Sequence, residues 1–297
     1  MKSTHSLIPV ISDKLKKPTT FDEQIQLLRK RNIIIENVDC AKNILKRINY
    51  YYFTGYIYGF KDSLNNTSDI SFDKIYKIIQ FDARLRNIFL YCMGFIERDL
   101  KTTVAYFFAH DYPEGNISYF FDRDFDDKIA HSEFIKYITD NIKRNSKLPF
   151  VQHHNDNYDG YLPIWVAVEI FTLGNLERFY GLLNNKLKKR IAKEYGFSVP
   201  LVSNWLGNLR LFRNMLAHDS RLYNTKIHKT PLKSKELNIT TNKIFDYVVV
   251  MKLVFRDIEE WNKKILEDIA TLFDEFYEFV DIECIGFPNN WKEILTK

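Results

Sequence analysis

The sequence is poor in the residues that form turns. Glycine and proline number only 10 and 8 among 297 residues, and apolar residues recur every three or four positions over long stretches. This combination is typical of helices joined by short loops. Strand-like alternation with hairpin turns is absent, as are repeats and low-complexity tracts. These features predict an all-α fold.

Cysteine is scarce and scattered. Cys40, Cys92 and Cys284 lie far apart in apolar contexts, without a CxxC pair or a Cys/His cluster. Such a set argues against a disulfide framework and against a metal site. The N-terminus has no apolar signal segment, and the longest apolar runs, such as 88–96, are far shorter than the roughly 18–20 residues that cross a bilayer. We therefore expect a reduced, soluble, cytoplasmic protein that does not enter a membrane.

Signatures of familiar catalytic sites are missing as well. The sequence has no Gly-rich phosphate loop, no HExxH and no GxSxG, so neither a metal nor another cofactor is predicted. The net charge of +5 and the pI near 8.8 are mildly basic. This balance is compatible with an anionic partner such as RNA without being evidence for one.

Periodicity and composition divide the chain into three parts. Residues 1–17 lack periodicity and are predicted to be a loose N-terminal arm. Residues 18–225 carry helical patterns and form the main domain. Residues 226–297 start with a polar linker over 226–242, and the helices that follow are predicted to pack on the same domain. One large domain with helical extensions is within reach of a chain of this length.

Several helix boundaries can be predicted within the main domain. Thr20, followed three residues later by Glu23, has the spacing of a capping box at a helix start. The longest periodic segment predicts one helix over 72–110. A further helix begins at Pro163 and is expected to end where Gly174 breaks the pattern.

Three segments allow a functional and a structural interpretation. The aromatic block INYYYFTGYIYGF (48–60) could stack on bases, but core packing is favoured because no basic residues are interleaved with it. The segment QHHNDNYDGYLP (152–163), with His153 and His154, is favoured as a solvated loop over a metal site. The basic segment KLKKRIAKEYG (186–196) could contact phosphates, although a solvated charged helix is the more common case.

The stretch from Trp205 to Asn224, WLGNLRLFRNMLAHDSRLYN, predicts one amphipathic helix. With about 100° per residue, its apolar stripe lies within roughly 40° of Trp205 and consists of Trp205, Leu209, Phe212 and Leu216. Its polar face carries Arg210, Arg213, Asn214, His218 and Arg221. This face could be merely solvated, and it could also be half of an active site.

The segment RNMLAH holds the residue types that RNA cleavage needs. Histidine titrates near neutrality and suits proton transfer, so His218 is the candidate general acid and base. The guanidinium of Arg213 suits a phosphate and its developing charge, and Asn214 precedes His218 by one helical turn and could orient it. On a straight helix Arg213 and His218 lie about 140° apart, so a two-fold dimer of these helices would complete the site.

Longer segments extend the pattern beyond this motif. They are KPTTFDEQIQLLRKRNIII, INYYYFTGYIYGF, FDARLRNIFLYCMGFIERDLKTTVAY, LPIWVAVEIFTLGNLERFY, RNMLAHDSRLYN and GFPNNW. In these segments the chain resembles the Abi-like abortive-infection proteins, the AbiD/AbiF group within the HEPN superfamily. The resemblance implies an all-helical HEPN-type bundle with additional N- and C-terminal helices, a homodimer through the motif helices, and a metal-independent endoribonuclease used in phage defence or as a toxin.

The resemblance also implies roles for particular residues. Arg213 and His218 match the Arg-x4-His pair, Asn214 matches the polar residue after the Arg, and position 219 is Asp where relatives often have His. Glu97 and Lys101 match charged positions on the central helix and are expected to support the site. Further RNA contacts are expected from Arg210, Arg221, Lys189 and Arg190. A nuclease that harms its host implies a neutralising antitoxin, either a protein or a small RNA, and the alternative function is a non-catalytic RNA-binding or sensor module of the same fold.

Overall fold

The computed structural model describes residues 17–60, 70–112, 116–234 and 240–296, without the side chain of Asp124. Nearly all regular structure in these ranges is helical, which confirms the all-α prediction. The α-helices are α1 (Phe21–Arg29), α2 (Val38–Leu45), α3 (Tyr50–Ile57), α4 (Phe72–Asp111), α5 (Lys128–Arg144), α6 (Pro149–Asn157), α7 (Ile164–Ala167), α8 (Leu173–Leu182), α9 (Asn185–Glu194), α10 (Val199–Ala217), α11 (Phe245–Val254), α12 (Ile258–Glu260), α13 (Leu266–Phe276) and α14 (Trp291–Leu295).

Shorter elements complete the fold. The strands β1 (Ile33–Ile34) and β2 (Ile70–Ser71) pair in parallel. A π-helical turn, Trp261–Ile265, joins α12 to α13, and 3-10 turns cover Tyr58–Phe60, Ser118–Phe120, Asp122–Asp124, Val168–Ile170 and Ile282–Ile285. Among the described residues, no helix combines the length and hydropathy needed to cross a membrane. The predicted arm, 1–17, lies outside the described residues except for Lys17.

The chain divides into two compact units, Met1–Ile79 and Gln80–Lys297. In the first unit, α1 packs on α2, and β1 pairs with β2 through the register Ile33 to Ile70. The Phe53 ring of α3 stacks on Phe72 with centroids 4.4 Å apart, and both side chains are buried. The division into a main domain over 18–225 and an extension over 226–297 stays a prediction.

The first helix begins as its capping pattern predicts. The Thr20 hydroxyl accepts the backbone N–H of Glu23 at 3.2 Å, and the Glu23 carboxylate accepts the backbone N–H of Thr20 at 2.7 Å. Two backbone donors that the helix itself leaves unpaired are thereby satisfied. The capping box is confirmed.

Helix α4 runs without interruption from Phe72 to Asp111, which confirms the long helix predicted for 72–110, and its part from Gln80 onward belongs to the second unit. Its buried residues recur at threes and fours and include Phe81, Leu85, Phe89, Cys92, Ile96, Leu100, Val104 and Phe108. Phe212 of α10 contacts Phe89 at 5.5 Å and stacks on Tyr247 of α11 at 5.0 Å. Helix α10 is therefore held between α4 and α11.

Phe179 of α8 anchors a second part of this core. Its ring contacts those of Phe108, Tyr119, Phe125, Phe134 and Phe171, with centroids 5.2 to 6.5 Å apart. Aromatic pairs at such distances stabilise a core beyond the area they bury. The cluster joins α8 to α4 and α5, and α8 in turn packs on α10.

Three helix boundaries differ from the predictions. Helix α6 covers His153 and His154, so the predicted loop over 152–163 is wrong in its first half. The chain leaves helical geometry at Phe171, and α8 restarts on Thr172, whose side chain forms a capping box with Asn175. Gly174 therefore lies inside the first turn of α8 and does not end a helix, because capping outweighs the low helix propensity of glycine.

The third difference concerns the motif helix. Helix α10 ends at Ala217, so the prediction of one helix through Asn224 is wrong. His218 is the C-cap, with φ −97° and ψ 20°, and Asp219 turns into the left-handed region at φ 53°. A left-handed residue directly after the cap reverses the chain direction and ends the helix.

The polar stretch after α10 contains no helix or strand in its described part, and side chains of the neighbouring helices bind its backbone. The Trp205 indole donates to the Leu232 carbonyl at 3.0 Å, and the Asn204 side chain accepts the Leu232 N–H at 2.8 Å. The buried Asp246 carboxylate accepts the backbone N–H groups of Thr241 and Asn242 at 2.8 and 3.0 Å. Side chains of α10 and α11 thus fix both described ends of this stretch.

Candidate active site at the end of helix α10

Helix α10 has a firmly buried apolar face. Trp205, Leu209, Phe212 and Leu216 are each at most 2% exposed, which confirms the stripe predicted from the sequence. Ser198 is the N-cap residue of the helix and Pro200 lies in its first turn, although the Ser198 hydroxyl makes no capping hydrogen bond in the described structure. Since one face is fixed between α4 and α11, the opposite face of α10 has a defined direction.

Arg213 lies beside Glu97 of α4, one of the two charged residues that the family resemblance implied as supports of the site. Its Nε lies 3.9 Å from Oε2 of Glu97, and Oε1 of Glu97 lies 3.6 Å from Nζ of Lys101. The Arg213 side chain is 40% exposed, whereas those of Glu97 and Lys101 are 18% and 14% exposed. Glu97 therefore contacts the Nε side of Arg213 and leaves part of the guanidinium open to solvent.

His218 is exposed at the carboxyl end of α10. Its backbone N–H donates to the Asn214 carbonyl at 3.0 Å, and within the described residues its imidazole has no hydrogen-bond partner. The same holds for the half-buried Asn214 amide, so an Asn214 side chain that orients the ring is not seen in this conformation. The imidazole is free to meet a substrate or a second copy of the chain.

The turn after His218 is clamped by α4. Ser220 donates its backbone N–H to the Met215 carbonyl at 3.0 Å, which closes the helix end in a Schellman-type wrap around Asp219. Arg86 donates from Nη1 to the Ser220 carbonyl at 3.1 Å and pairs through Nη2 with the Asp219 carboxylate. A buried cation thereby fixes the two residues directly beyond the histidine.

Asp82, one turn before Arg86 on α4, continues this clamp. Its fully buried carboxylate accepts the backbone N–H groups of Leu222 at 2.7 Å and Tyr223 at 3.0 Å, and it lies 3.9 Å from Nη1 of Arg86. Burial raises the pKa of the Tyr223 phenol, so this ring remains neutral beside the clamp. Hydrogen bonds to an ionised group, such as those that the Asp82 carboxylate accepts, are about twice as strong as neutral ones.

The clamp residues were not among the predicted site residues. Asp82 and Arg86 lie within the FDARLRN segment, four residues apart and next to the buried Phe81, Leu85 and Phe89. Two opposite charges at this spacing on an apolar stripe would have been the signal, because charges almost never lie in a core unless they are paired.

A comparison with known protein families shows to which family the chain belongs. The family model for Abi-like proteins matches residues 43–224, which is more than half of the chain and contains α4, the clamp and the RNMLAH motif. The chain belongs to the Abi-like protein family. No curated protein and no solved structure matches it. The opening KPTTFDEQIQLLRKRNIII and the closing GFPNNW lie outside the matched range of this Abi-like protein.

Membership connects this Abi-like protein with abortive infection, a form of defence against phage. The matched range also contains the further cations predicted to bind RNA. Arg210 lies on α10, where it pairs with Glu177 of α8, and it is about one-third exposed. Arg221 lies beyond the helix end rather than on its polar face, and its Nε donates to the Thr225 hydroxyl at 3.4 Å.

The basic helix α9 of the Abi-like chain is only partly open to a ligand. Lys189 is exposed, whereas Arg190 pairs with Asp111 and lies over the Phe107 ring at 5.0 Å. The described residues contain no group of three or more His, Cys, Asp or Glu side chains that could hold a metal, and His153 and His154 face other partners on α6.

Proposed function

We propose that this protein is a HEPN-type endoribonuclease acting in abortive infection or as a toxin. The observation that carries the proposal is the placement of Arg213 and His218 at the open end of one helix, with Glu97 beneath the arginine and the Arg86 clamp directly behind the histidine. Both reactive side chains reach solvent while their supports are buried or nearly so. Preorganised groups of this kind favour a developing charge more than flexible ones do.

The reaction follows from the chemistry of the two side chains. An imidazole of His218 takes the proton from the 2′-hydroxyl, and O2′ attacks the adjacent phosphorus. The Arg213 guanidinium neutralises the charge that builds on the phosphorane oxygens. The P–O5′ bond then breaks, and the leaving O5′ accepts a proton from a second imidazolium. The products are a 2′,3′-cyclic phosphate and a 5′-hydroxyl, and Arg213 and His218 supply the charge and the proton transfers without a metal.

A second copy of the chain supplies the second imidazole in this proposal. Arg213 on α10 and His218 at its C-cap are five positions apart, which corresponds to about 140° on an ideal helix, so one copy aims only one of them squarely at a given phosphate. Two α10 helices related by a two-fold axis would bring two arginines and two histidines around one cleft. Arg210 and Arg221 would then contact the flanking phosphates, and an antitoxin, protein or RNA, would neutralise the complete dimer.

Cleavage in a buffer with a metal chelator tests the assignment. We expect Arg213→Ala and His218→Ala each to lower the cleavage rate by at least about 100-fold. Matched controls are Arg98→Ala and His228→Ala, which remove an exposed arginine and an exposed histidine elsewhere in the second unit. Equal cleavage by wild type and both motif variants would reject the assignment of Arg213 and His218 as the catalytic residues. RNA binding that is strongly salt-dependent, with no cleavage product, would instead identify a non-catalytic RNA-binding module.

Mixing wild type with the inactive His218→Ala variant tests the composite site. The proposed cleavage needs two imidazoles from two chains, so a mixed dimer of these proteins holds one imidazole and should be inactive. In an equal mixture that exchanges freely, about half of the wild-type chains are in mixed dimers, so we expect the activity to fall to about half of that of the same amount of wild type alone. If each chain holds a complete site, addition of the variant leaves the activity unchanged. Size-exclusion chromatography with light scattering establishes whether dimers form at all.

A further inference from the structure

The first unit contains a large open cavity that the proposed nuclease site does not use. Its volume is about 1060 Å³, and it is formed by the segment before α1, by α1 itself and by the turn between α2 and α3. Its lining includes the cations Lys17, Arg31, Lys46 and Arg47, the rings of Tyr50 and Tyr51, and the Gln24 side chain. All of them lie within the first unit.

The charge of this cavity has one sign. Four of its described lining residues are cations, and none of the described lining residues is a carboxylate. The acidic residues at the start of α1 are engaged elsewhere, since Asp22 pairs with Lys42 and Glu23 caps the helix through Thr20. A concave surface with uncompensated cations concentrates anions and favours phosphate.

The aromatic residues in the cavity wall are available for stacking. Tyr51 is 70% exposed, and its ring meets that of Tyr50 edge to face with centroids 5.9 Å apart. The Arg31 guanidinium lies over the other ring at 5.8 Å from the Tyr50 centroid. The sequence favoured core packing for this aromatic block, and the structure divides it, because Phe53 and Tyr56 are buried while Tyr51 faces outward.

Two polar atoms in the cavity wall have no partner. The Tyr50 hydroxyl and the Gln24 side-chain oxygen are buried, and neither makes a hydrogen bond within the described structure. Burial raises the pKa of Tyr50, so its hydroxyl keeps its proton and can donate. The Gln24 oxygen can accept. Buried polar atoms nearly always have a hydrogen-bond partner in native proteins. A ligand with both a donor and an acceptor would satisfy these two atoms.

We propose that this cavity binds a nucleotide unit, with its phosphate among Lys46, Arg47 and Arg31 and its base against Tyr51. A base offers a flat ring that can stack on Tyr51, together with hydrogen-bond donors and acceptors. A phosphate offers the negative charge that balances the four cations. The nucleotide is either free or part of single-stranded RNA, since the recognised chemistry is shared. Binding in this cavity is independent of cleavage at Arg213 and His218.

Calorimetric titration of the full chain carrying His218→Ala tests this site without interference from cleavage. The probes are ATP, inorganic tripolyphosphate and a short oligouridylate. We expect Tyr51→Ala to weaken ATP binding at least about fivefold, because base stacking on an aromatic ring is lost, and to leave tripolyphosphate binding unchanged. Lys46→Ala and Arg47→Ala should weaken both, with a reduced dependence on salt concentration.

Controls in the same unit separate the site from general surface effects. Tyr58→Ala removes another exposed tyrosine, 65% accessible, and Arg29→Ala removes another exposed cation, and neither residue lines the cavity. Both controls should bind as the parent does. Tyr51-dependent binding of ATP alone identifies a free nucleotide as the ligand, and Tyr51-dependent binding of the oligouridylate identifies an RNA strand.

Three results would overturn the proposal. They are the failure of all three probes to bind, nucleotide binding that Tyr51→Ala leaves unchanged, and a loss of binding in the two controls as large as in the cavity variants. Thermal unfolding followed by circular dichroism shows that each variant is folded. Because the parent already lacks His218, loss of the nuclease proposal leaves every one of these outcomes interpretable.

Discussion

The guanidinium of Arg86 pairs with the carboxylate of Asp219, the residue directly after His218. The two side chains differ sharply in environment, since Arg86 is 5% exposed and Asp219 is 64% exposed. The pair therefore joins the buried side of α4 to a surface turn. Asp82 of the same helix accepts the backbone N–H groups of Leu222 and Tyr223, so α4 fixes the backbone that follows the histidine.

Loss of Arg86 should be costly. Arg86→Ala leaves the buried Asp82 carboxylate and the Ser220 carbonyl without their cation, so we expect the free energy of unfolding to fall by about 3 kcal/mol. The matched control is Arg84→Ala on the same helix, whose ion pair with Glu275 is half-exposed and should contribute less than about 1 kcal/mol. Urea denaturation measures both, and an equal effect of the two substitutions would contradict the clamp.

Position 219 separates backbone geometry from charge. Asp219 has φ 53°, where alanine is strained and glycine is not. Both Asp219→Gly and Asp219→Ala remove the partner of Arg86, so we expect the alanine variant to be less stable than the glycine variant by about 1 kcal/mol. Asp219→Asn tolerates the left-handed conformation and isolates the lost charge. Equal stability of the glycine and alanine variants would show that the turn is not held in this conformation.

Glu97 should oppose RNA binding while it supports Arg213. Its carboxylate lies 3.9 Å from the Arg213 Nε and competes with phosphate for the guanidinium. In the non-cleaving His218→Ala protein, we expect Glu97→Gln to bind RNA about two- to fivefold more tightly, as one competing charge is removed. Glu259→Gln, which removes an exposed carboxylate on α12, is the control. Fluorescence anisotropy measures the affinity, and weaker binding by Glu97→Gln would show that the carboxylate acts mainly to position Arg213.

Two glycines of the second unit should respond to alanine in opposite directions. Gly286 has φ 89°, and a Cβ there would lie 2.6 Å from the Thr241 hydroxyl and 2.8 Å from the Lys243 Cβ. We expect Gly286→Ala to lower the free energy of unfolding by about 2 kcal/mol or more. Gly94, inside α4, has open space around its Cβ position, so Gly94→Ala should raise stability by up to about 1 kcal/mol. Thermal melts of the two variants on opposite sides of wild type would confirm this.

Features of this fold that depend on local spacing could be predicted from the sequence. The stripe of Trp205, Leu209, Phe212 and Leu216 follows from helical periodicity, and the Thr20 capping box from a four-residue pattern. The family resemblance implied only that Glu97 supports the site, and its contact with Arg213 was not predicted. Spacing along one helix cannot show which residue of another helix faces it.

Features that depend on distant residues could not be predicted. The end of α10 at Ala217 is set by Asp82 and Arg86, more than 130 positions earlier, and the local sequence continues a helical pattern past that point. The pairing of Arg190 with Asp111 likewise removes a cation that the sequence counted as open to RNA. Tertiary partners outweigh local propensity in both cases.

The clamp also limits how this chain can change in length. Phe212 is packed on Phe89 and Tyr247, and the turn beyond His218 is tied to Asp82, so the residues between are anchored at both ends. One inserted residue would rotate Arg213 by about 100° relative to that turn, and the anchored segment has no free loop that could compensate for the rotation. A replacement of one side chain by another, for example at the exposed Ala217, leaves this spacing intact. The fold can therefore tolerate substitutions in the RNMLAH motif, whereas an insertion or deletion within it would separate Arg213 from the turn that follows His218.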